Sequence, residues 1–370
     1  MADNSVSTES LALGDGKKVY KGKKLRVAII GCGGISQSHM TAFKDMPEVE
    51  VVAGVDSLPA RLKIMKDRWG ITALYDNWNK MLKEVQPDAV DVCTPNGMHC
   101  RPVVDACNAC CHAFTEKPMA MTPRECQRMI DAAKKNKVKL SVGFQYRYHP
   151  KSQFLARARD EGQFGKIMFV KCQALRRRGI PNWGVFGQKK LQGGGPMIDI
   201  GVHVIEMAHC FMGSPRPVAA SGSIWTYMGN KPSTVVSQWP GWDHKTYTVE
   251  DLAIGQIRFE NGAIMQIESS FAAHVEKDVW NFTAIGDKGG CAWEPAGIYT
   301  DRAGTMINSS PAFLGDDSWG YLFKTKLQNW VDGCLKGAAL AAPGEAGLAI
   351  QKIIDGVYRS AQAKKEVTIA

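Results

Sequence analysis

The segment Leu25-Arg26-Val27-Ala28-Ile29-Ile30 runs straight into Gly31-Cys32-Gly33-Gly34-Ile35-Ser36, and no other stretch of the chain restricts the fold so tightly. A short apolar run ended by closely spaced glycines reads as a strand entering a tight turn, and 35–46 then carries a helical pattern. A second apolar run, 49–55, closes on Asp56. Strand, glycine turn, helix and strand in this order form a dinucleotide-binding unit. Gly31 permits the turn and Gly33 lets the main chain approach a pyrophosphate. Ser36 replaces the usual third glycine with another small residue. Gly34 and Ile35 open the helix, whose free N–H groups and dipole favour phosphate charge. Asp56, about 25 residues beyond Gly31, is placed to accept hydrogen bonds from ribose hydroxyls and to repel a 2′-phosphate, so the expected cofactor is NAD. Arg61, one helical turn further, offsets part of that repulsion or stacks on adenine. The alternative for Asp56 is that it simply ends a strand.

The alternation continues, with helices over 59–69, 78–85 and 103–110 between strands at 73–75, 89–93 and 112–115. Thr122-Pro123-Arg124-Glu125 carries the N-cap, first-turn proline and following acid of a helix start, and 139–144 supplies a last strand. Strands and helices at this spacing predict a doubly wound parallel sheet of the Rossmann type. Beyond residue 150 the texture changes to longer polar–apolar alternations at 166–175, 217–227, 252–259, 263–271 and 280–285. Glu260-Asn261-Gly262 is a hairpin turn between two of them. With helices at 152–161, 197–211, 321–335 and 344–361, the second half reads as an α+β domain on a large, open, mainly antiparallel sheet. A chain of 370 residues exceeds what one core usually supports. The expected division is a polar arm at 1–24, an NAD-binding domain at 25–147, and a substrate-binding and oligomerisation domain at 148–370, with a cleft between the two domains.

Composition excludes several classes. Hydrophobic residues at 45% and charged residues at 22% are ordinary for a soluble protein, and no apolar run of ~18 residues is present to span a membrane. Residues 1–24 hold Lys17, Lys18, Lys21, Lys23 and Lys24 without the apolar core of a secretory signal. The formal charge of +10 is scattered, with no nucleic-acid module beside it. Its densest cluster, Arg176-Arg177-Arg178, reads as a substrate-loop or subunit contact. Eleven cysteines without a secretion signal point to reduced thiols in a cytoplasm. Cys107-Asn108-Ala109-Cys110-Cys111 lacks the second pair a metal site requires, so small buried thiols are expected there and no metal.

Chemistry-bearing residues follow in two places: Thr115-Glu116-Lys117-Pro118, and the run from Gly193 to His203 that contains Asp199. Asp199 and His203 are four apart on a predicted helix and so share a face. Oxidation of an alcohol releases a proton as hydride leaves, and an imidazole with an ordinary pKa near ~6.5 is suited to take it. His203 is the expected base, Asp199 orients the substrate hydroxyl and tunes the imidazole, and Lys117 donates to the reacting oxygen. Singly, each is an unremarkable lysine, acid or helix histidine; the series behind a nucleotide motif gives them meaning.

That series includes the glycine run, Thr94-Pro95-Asn96-Gly97-Met98-His99, Glu116-Lys117-Pro118, Gly143-Phe144-Gln145-Tyr146-Arg147 and Asp199-x-Gly201-x-His203. It resembles the glucose-fructose oxidoreductase, inositol dehydrogenase and rhizopine-catabolism (Gfo/Idh/MocA) family over nearly the whole chain, with Ser36 as the main departure. The resemblance implies an NAD-dependent oxidoreductase acting on a secondary hydroxyl of a sugar, glycoside or polyol, usually as a homo-oligomer. It implies Lys117, Asp199 and His203 as catalytic residues, and a cis bond before Pro118. It adds Thr94, Pro95, Asn96, His99 and Glu116 to the cofactor contacts, Asn96 and His99 having capping as an equal alternative. Arg147 links domains or holds substrate. Trp183 and Trp242 stack on a sugar or anchor their loops. The loop Ile180-Pro181-Asn182-Trp183-Gly184 resembles that of members acting on glycosides, which suggests oxidation at glucoside C3. Two other readings remain: an NAD-dependent glycosidase working by transient oxidation and elimination, and a non-catalytic NAD-binding scaffold. No nucleic-acid or membrane partner is expected.

Overall fold

A computed structural model describes residues 22–369; the N-terminal arm expected at 1–24 lies, up to residue 21, outside them. The first half is a six-stranded sheet of β1 (Leu25–Ile30), β2 (Val49–Val55), β3 (Leu74–Tyr75), β4 (Ala89–Val92), β5 (His112–Thr115) and β6 (Leu140–Val142), in the order β3-β2-β1-β4-β5-β6. All its pairings are parallel. The connecting helices are α1 (Gly34–Lys44), α2 (Pro59–Trp69), α3 (Trp78–Val85), α4 (Cys100–Asn108) and α5 (Pro123–Lys135). Parallel strands need covered faces, which is why β1 and β4 are apolar along almost their whole length. Helix α5 begins with the capping box read from Thr122 and Glu125. The chain reverses its direction of winding between β1 and β4, which opens a crevice at their C-terminal ends.

The second half is a nine-stranded sheet: β7 (Ile167–Leu175), β8 (Pro217–Trp225), β9 (Leu252–Phe259), β10 (Ile264–Ser270), β11 (Val279–Gly286), β12 (Gly289–Ala292), β13 (Gly297–Arg302), β14 (Thr305–Ser309) and β15 (Val367–Thr368). Their order is β14-β13-β12-β11-β7-β10-β9-β8-β15, antiparallel except where β10 lies parallel to β7. The hairpin at Asn261-Gly262 joins β9 to β10, with Gly262 at φ +85°. Strict alternation of buried and exposed residues along β9 leaves one face covered by helices and the other open. The helices are α6 (Pro150–Asp160), the short α7 (Lys189–Gln192), α8 (Val202–Phe211), α9 (Trp319–Lys336) and α10 (Gly344–Ala363).

Helix α9 does not stay with the sheet that precedes it. Its Leu327, Trp330 and Val331 sit in the same core cluster as Val27, Ile29, Phe43 and Phe114 of the first half. Burying each such side chain contributes about 1.5–3 kcal/mol, so the helix is a structural part of the nucleotide-binding half. The following segment runs beside β6, where Val142 N–H donates to the Ala342 carbonyl at 2.9 Å. In the cysteine cluster Cys107 and Cys111 are buried as expected, but Cys110 is exposed: it follows the end of α4 at φ +60°, outside the packed helix.

Candidate active site

The glycine loop leaves β1 with Gly31 at φ +92°, and a Cβ there would lie 2.7 Å from the main chain of Cys93 and Thr94 at the end of β4. Only glycine fits. By contrast, a Cβ on Gly34 would meet nothing within 4 Å, and one on Gly33 would meet only the Arg61 guanidinium at 3.9 Å. The first turn of α1 has no capping side chain and no acid. Free N–H groups, open space and a guanidinium fit a pyrophosphate. Ser36 is fully buried and donates its hydroxyl to the Gly33 carbonyl at 2.7 Å, which closes the loop where glycine is usual. Asp56 accepts the Cys32 N–H at 2.8 Å and the Leu58 N–H at 2.9 Å, so it braces the loop against the start of α2. Ile35 follows in the first turn of α1.

Across the crevice, the turn after β4 is tied to its surroundings. The Thr94 hydroxyl donates to the Met98 carbonyl at 3.0 Å, and Asn96 donates to the Gln192 carbonyl at 3.0 Å. Pro95 precedes that turn in an extended conformation. His99 is fully buried, with its ring nitrogens 2.8 and 2.7 Å from the carbonyls of Pro118 and Thr94. Sequence reasoning gave Asn96 and His99 a cofactor contact or a capping role. The geometry engages His99 at both nitrogens in pinning the loop, leaving none for a ligand.

Lys117 follows β5, and the Lys117–Pro118 bond is cis. Its ammonium is 2.9 Å from the Asp199 carbonyl and 3.1 Å from Asp199 Oδ1, which leaves one N–H for another acceptor. Asp199 lies on a π-helical turn, Met197–Gly201, that leads directly into α8 and His203. A helix was expected here; its first turn is the wider π form, and the Gly194-Gly195 pair before it is packed hard against its surroundings. A Cβ on Gly195 would lie 2.0 Å from the Glu250 carbonyl, and one on Gly194 2.1 Å from the Tyr358 hydroxyl. The buried Glu250 carboxylate accepts the N–H of Gly195 at 2.9 Å and of Met197 at 3.3 Å, and the Tyr358 hydroxyl at 2.8 Å.

His203 is 8% exposed, and neither ring nitrogen has a protein hydrogen-bond partner among the described residues. Tyr146 and Trp280 wall its ring at centroid distances of 5.2 and 5.6 Å. Burial pushes its pKa well below the ordinary value, and the nearby Lys117 ammonium adds to that. The imidazole is therefore neutral and available to accept a proton. Arg176, at the end of β7, stands within electrostatic reach of Asp199 and lies over the rings of Trp239 and Phe271. Trp183 is exposed and meets Trp239 edge-on at 4.8 Å. Trp242 donates to the Gly229 carbonyl at 2.8 Å, the anchoring alternative. Arg147 pairs with Glu206 and donates to the Ala341 carbonyl. These contacts are the linking alternative read for it, and its buried Nη2 has no hydrogen-bond partner among the described residues.

Beneath Lys117 lies a buried polar chain that sequence reasoning missed. Asp91 bonds His39 Nδ1 at 2.7 Å, His39 Nε2 bonds Glu116 at 3.0 Å, and Lys326 of α9 pairs with the same Glu116 oxygen. The other Glu116 oxygen accepts the Lys117 N–H at 3.2 Å. Burial pushes the Glu116 carboxyl up, but Lys326 and His39 outweigh it and hold it well below the usual carboxylate range. For His39, burial pushes the pKa down and Asp91 overrules it, so the ring is raised. Signs alternate along the chain, which is how four buried polar groups are tolerated. Glu116, expected among the cofactor contacts, is itself only 5% exposed. Ligand atoms of His39, Asp91 and Cys93 come within 4.8 Å of one another. Burial and the adjacent carboxylates push the Cys93 thiol well up, which disfavours the thiolate a metal needs.

Residues 25–144 match the family described as oxidoreductases with an NAD-binding Rossmann fold, Gfo/Idh/MocA, and residues 160–369 match its C-terminal alpha/beta domain. The chain belongs to the Gfo/Idh/MocA family. It is an NAD-dependent oxidoreductase. It is similar to a D-glucoside 3-dehydrogenase of Escherichia coli, 35% identical over 95% of this chain and 100% of the relative. It is also similar to a levoglucosan dehydrogenase of Pseudarthrobacter phenanthrenivorans, 28% identical over 72% of this chain and 73% of the relative. Among solved structures, a levoglucosan dehydrogenase in complex with NADH superposes with a TM-score of 0.82 at 22% identity, covering 94% of this chain and 100% of the other. That likeness speaks to the fold. No described helix is long and apolar enough to cross a membrane.

Proposed function

We propose that this family member is a cytoplasmic dehydrogenase that oxidises a secondary ring hydroxyl of a glucoside, at C3, and works as a homo-oligomer. The observation that carries the reading is the Lys117 ammonium held at 2.9 and 3.1 Å by Asp199, one turn before a buried His203 with unengaged ring nitrogens. NAD bound at the glycine loop supplies the hydride acceptor for the carbinol carbon. His203 takes the hydroxyl proton, and its depressed pKa keeps it in the accepting form. The third N–H of Lys117 donates to the carbinol oxygen and stabilises charge building there. Asp199 holds that ammonium in place. Thr94, Pro95 and Asn96 frame the crevice opposite the glycine loop, and the loop pinned by His99 keeps them there. Arg61 and Asp56 would hold the adenosine side of the cofactor.

Support for the glucoside comes from the 35% identical D-glucoside 3-dehydrogenase and from the exposed Trp183, whose indole offers an apolar face to a pyranose. Trp225 and Ile254, exposed at the open sheet face, support self-association. The test is NADH absorbance with methyl glucoside, NAD and NADP in parallel, and identification of the product by NMR as the 3-keto glucoside. Failure of every sugar and polyol to reduce nicotinamide overturns the proposal. Release of the aglycone with no net NADH transfers it to an elimination glycosidase.

A further inference from the structure

A second chamber opens at the same end of the nine-stranded sheet as His203, at the tips of β7, β8 and β10. Its volume is about 430 Å³, within the range of small-molecule sites. Ile180, Tyr227, Met228 and Trp242 supply apolar wall, while Arg178, Lys231 and His274 stand around it. No carboxylate is among its lining residues. Arg176, packed on Trp239 and Phe271, donates to the carbonyl of Gly179 in the chamber wall at 3.0 Å and stands within electrostatic reach of Asp199, and an antiparallel Arg178–Ala272 bridge joins the segments that follow β7 and β10 at that wall.

The walls are built, not casual. Asp251 is fully buried, and one carboxylate oxygen accepts the N–H groups of Tyr227, Met228 and Gly229 at 2.9, 2.7 and 2.7 Å. The Tyr227 hydroxyl donates to the Ala272 carbonyl at 2.8 Å, and the Trp242 indole to the Gly229 carbonyl at 2.8 Å. The neighbouring Glu250 holds the turn that carries Asp199. One dipeptide therefore fixes the chamber and the catalytic turn in a single register. The Lys231 ammonium, by contrast, has no partner among the described residues and is free to meet an anion.

Resting on the glucoside reading above, we infer that this chamber is the subsite for the aglycone, and that it takes an aromatic group carrying an anionic substituent. Apolar walls take the ring and Lys231 takes the charge, beside an Arg178 guanidinium that the Arg177 and Ala273 carbonyls and His274 hold in place. A sugar bound at Lys117 and His203 would extend past Arg176 toward it.

The test compares methyl, phenyl and 4-carboxyphenyl glucosides at low salt, with binding followed by tryptophan fluorescence and turnover by NADH. Burial of the ring lowers KM and the dissociation constant about tenfold from methyl to phenyl. The carboxylate adds roughly threefold, which raised salt removes. Lys231→Gln abolishes the carboxylate increment and leaves methyl glucoside unchanged. Equal constants for the three glucosides, or a Lys231→Gln effect alike on all of them, overturn the subsite while the dehydrogenase reading stands. Binding that follows the expected order without turnover of any glucoside supports the subsite and overturns the dehydrogenase reading instead.

Discussion

Lys117 is held by two oxygens of one residue, its main-chain carbonyl and its side chain, so its position is set by the fold of the π-helical turn as much as by charge. Lys117→Met is expected to lower kcat by about 10²–10⁴, the span of a lost proton-handling group, with NADH affinity nearly unchanged in a fluorescence titration; an equal loss of cofactor affinity would assign the lysine to binding. His203 predicts a pH profile. The base works when neutral, and burial and the Lys117 ammonium both disfavour imidazolium, so protonation that ends activity shifts to lower pH. For oxidation, kcat/KM should stay level down to about pH 6.5, the ordinary histidine value, and fall only below it. An acid limb centred above pH 7 would remove His203 from the role. The three catalytic candidates were legible because their residue types and order are informative beside a glycine turn. His39, Asp91 and Lys326 were not: a helix histidine, a strand acid and a lysine 210 positions from its carboxylate carry no local pattern.

Among elements, the turn Met197–Gly201 decides where Asp199 stands. Spacing of four suits an α-helix or a wider turn equally, so the π geometry was invisible in the sequence, whereas the glycines before it were not. Gly195→Ala would drive a Cβ to 2.0 Å from the Glu250 carbonyl; main chain cannot yield as a flexible side chain does. The variant is expected to lose more than about tenfold in kcat/KM, since a misplacement of ~1 Å is costly, while a thermal melt shows whether it remains folded. Retention of full activity would mean that the turn tolerates repositioning. Strands β7 to β11 were readable from alternation. The edge pieces β12 to β14 were not, because Gly289-Gly290 and the exposed Thr305–Ser309 segment lack a buried face to impose period two.

At the scale of the molecule, the buried chain from Asp91 to Lys326 binds α9 to the nucleotide-binding half by charge as well as by Trp330. Removing one member of a buried pair leaves the other uncompensated, at a cost of about 3–5 kcal/mol. Lys326→Met is therefore expected to lower the denaturation midpoint markedly in a denaturant titration; a midpoint within error of wild type would show that His39 alone satisfies Glu116. The passage from a parallel to a mainly antiparallel sheet was visible in the change of pattern near residue 150. The return of α9 was not, since an amphipathic helix does not announce which sheet it will cover.

That return has a practical consequence for anyone dissecting or grafting this protein. The nucleotide-binding module is not a contiguous stretch that ends where the strand–helix alternation ends; it is two pieces, and the second is encoded some 180 positions downstream of β6. A fragment cut near residue 147 would bare the groove that Leu327, Trp330 and Val331 fill, and would strand Glu116 without its ammonium. Any transplant of this module into another scaffold has to carry Trp319–Lys336 with it.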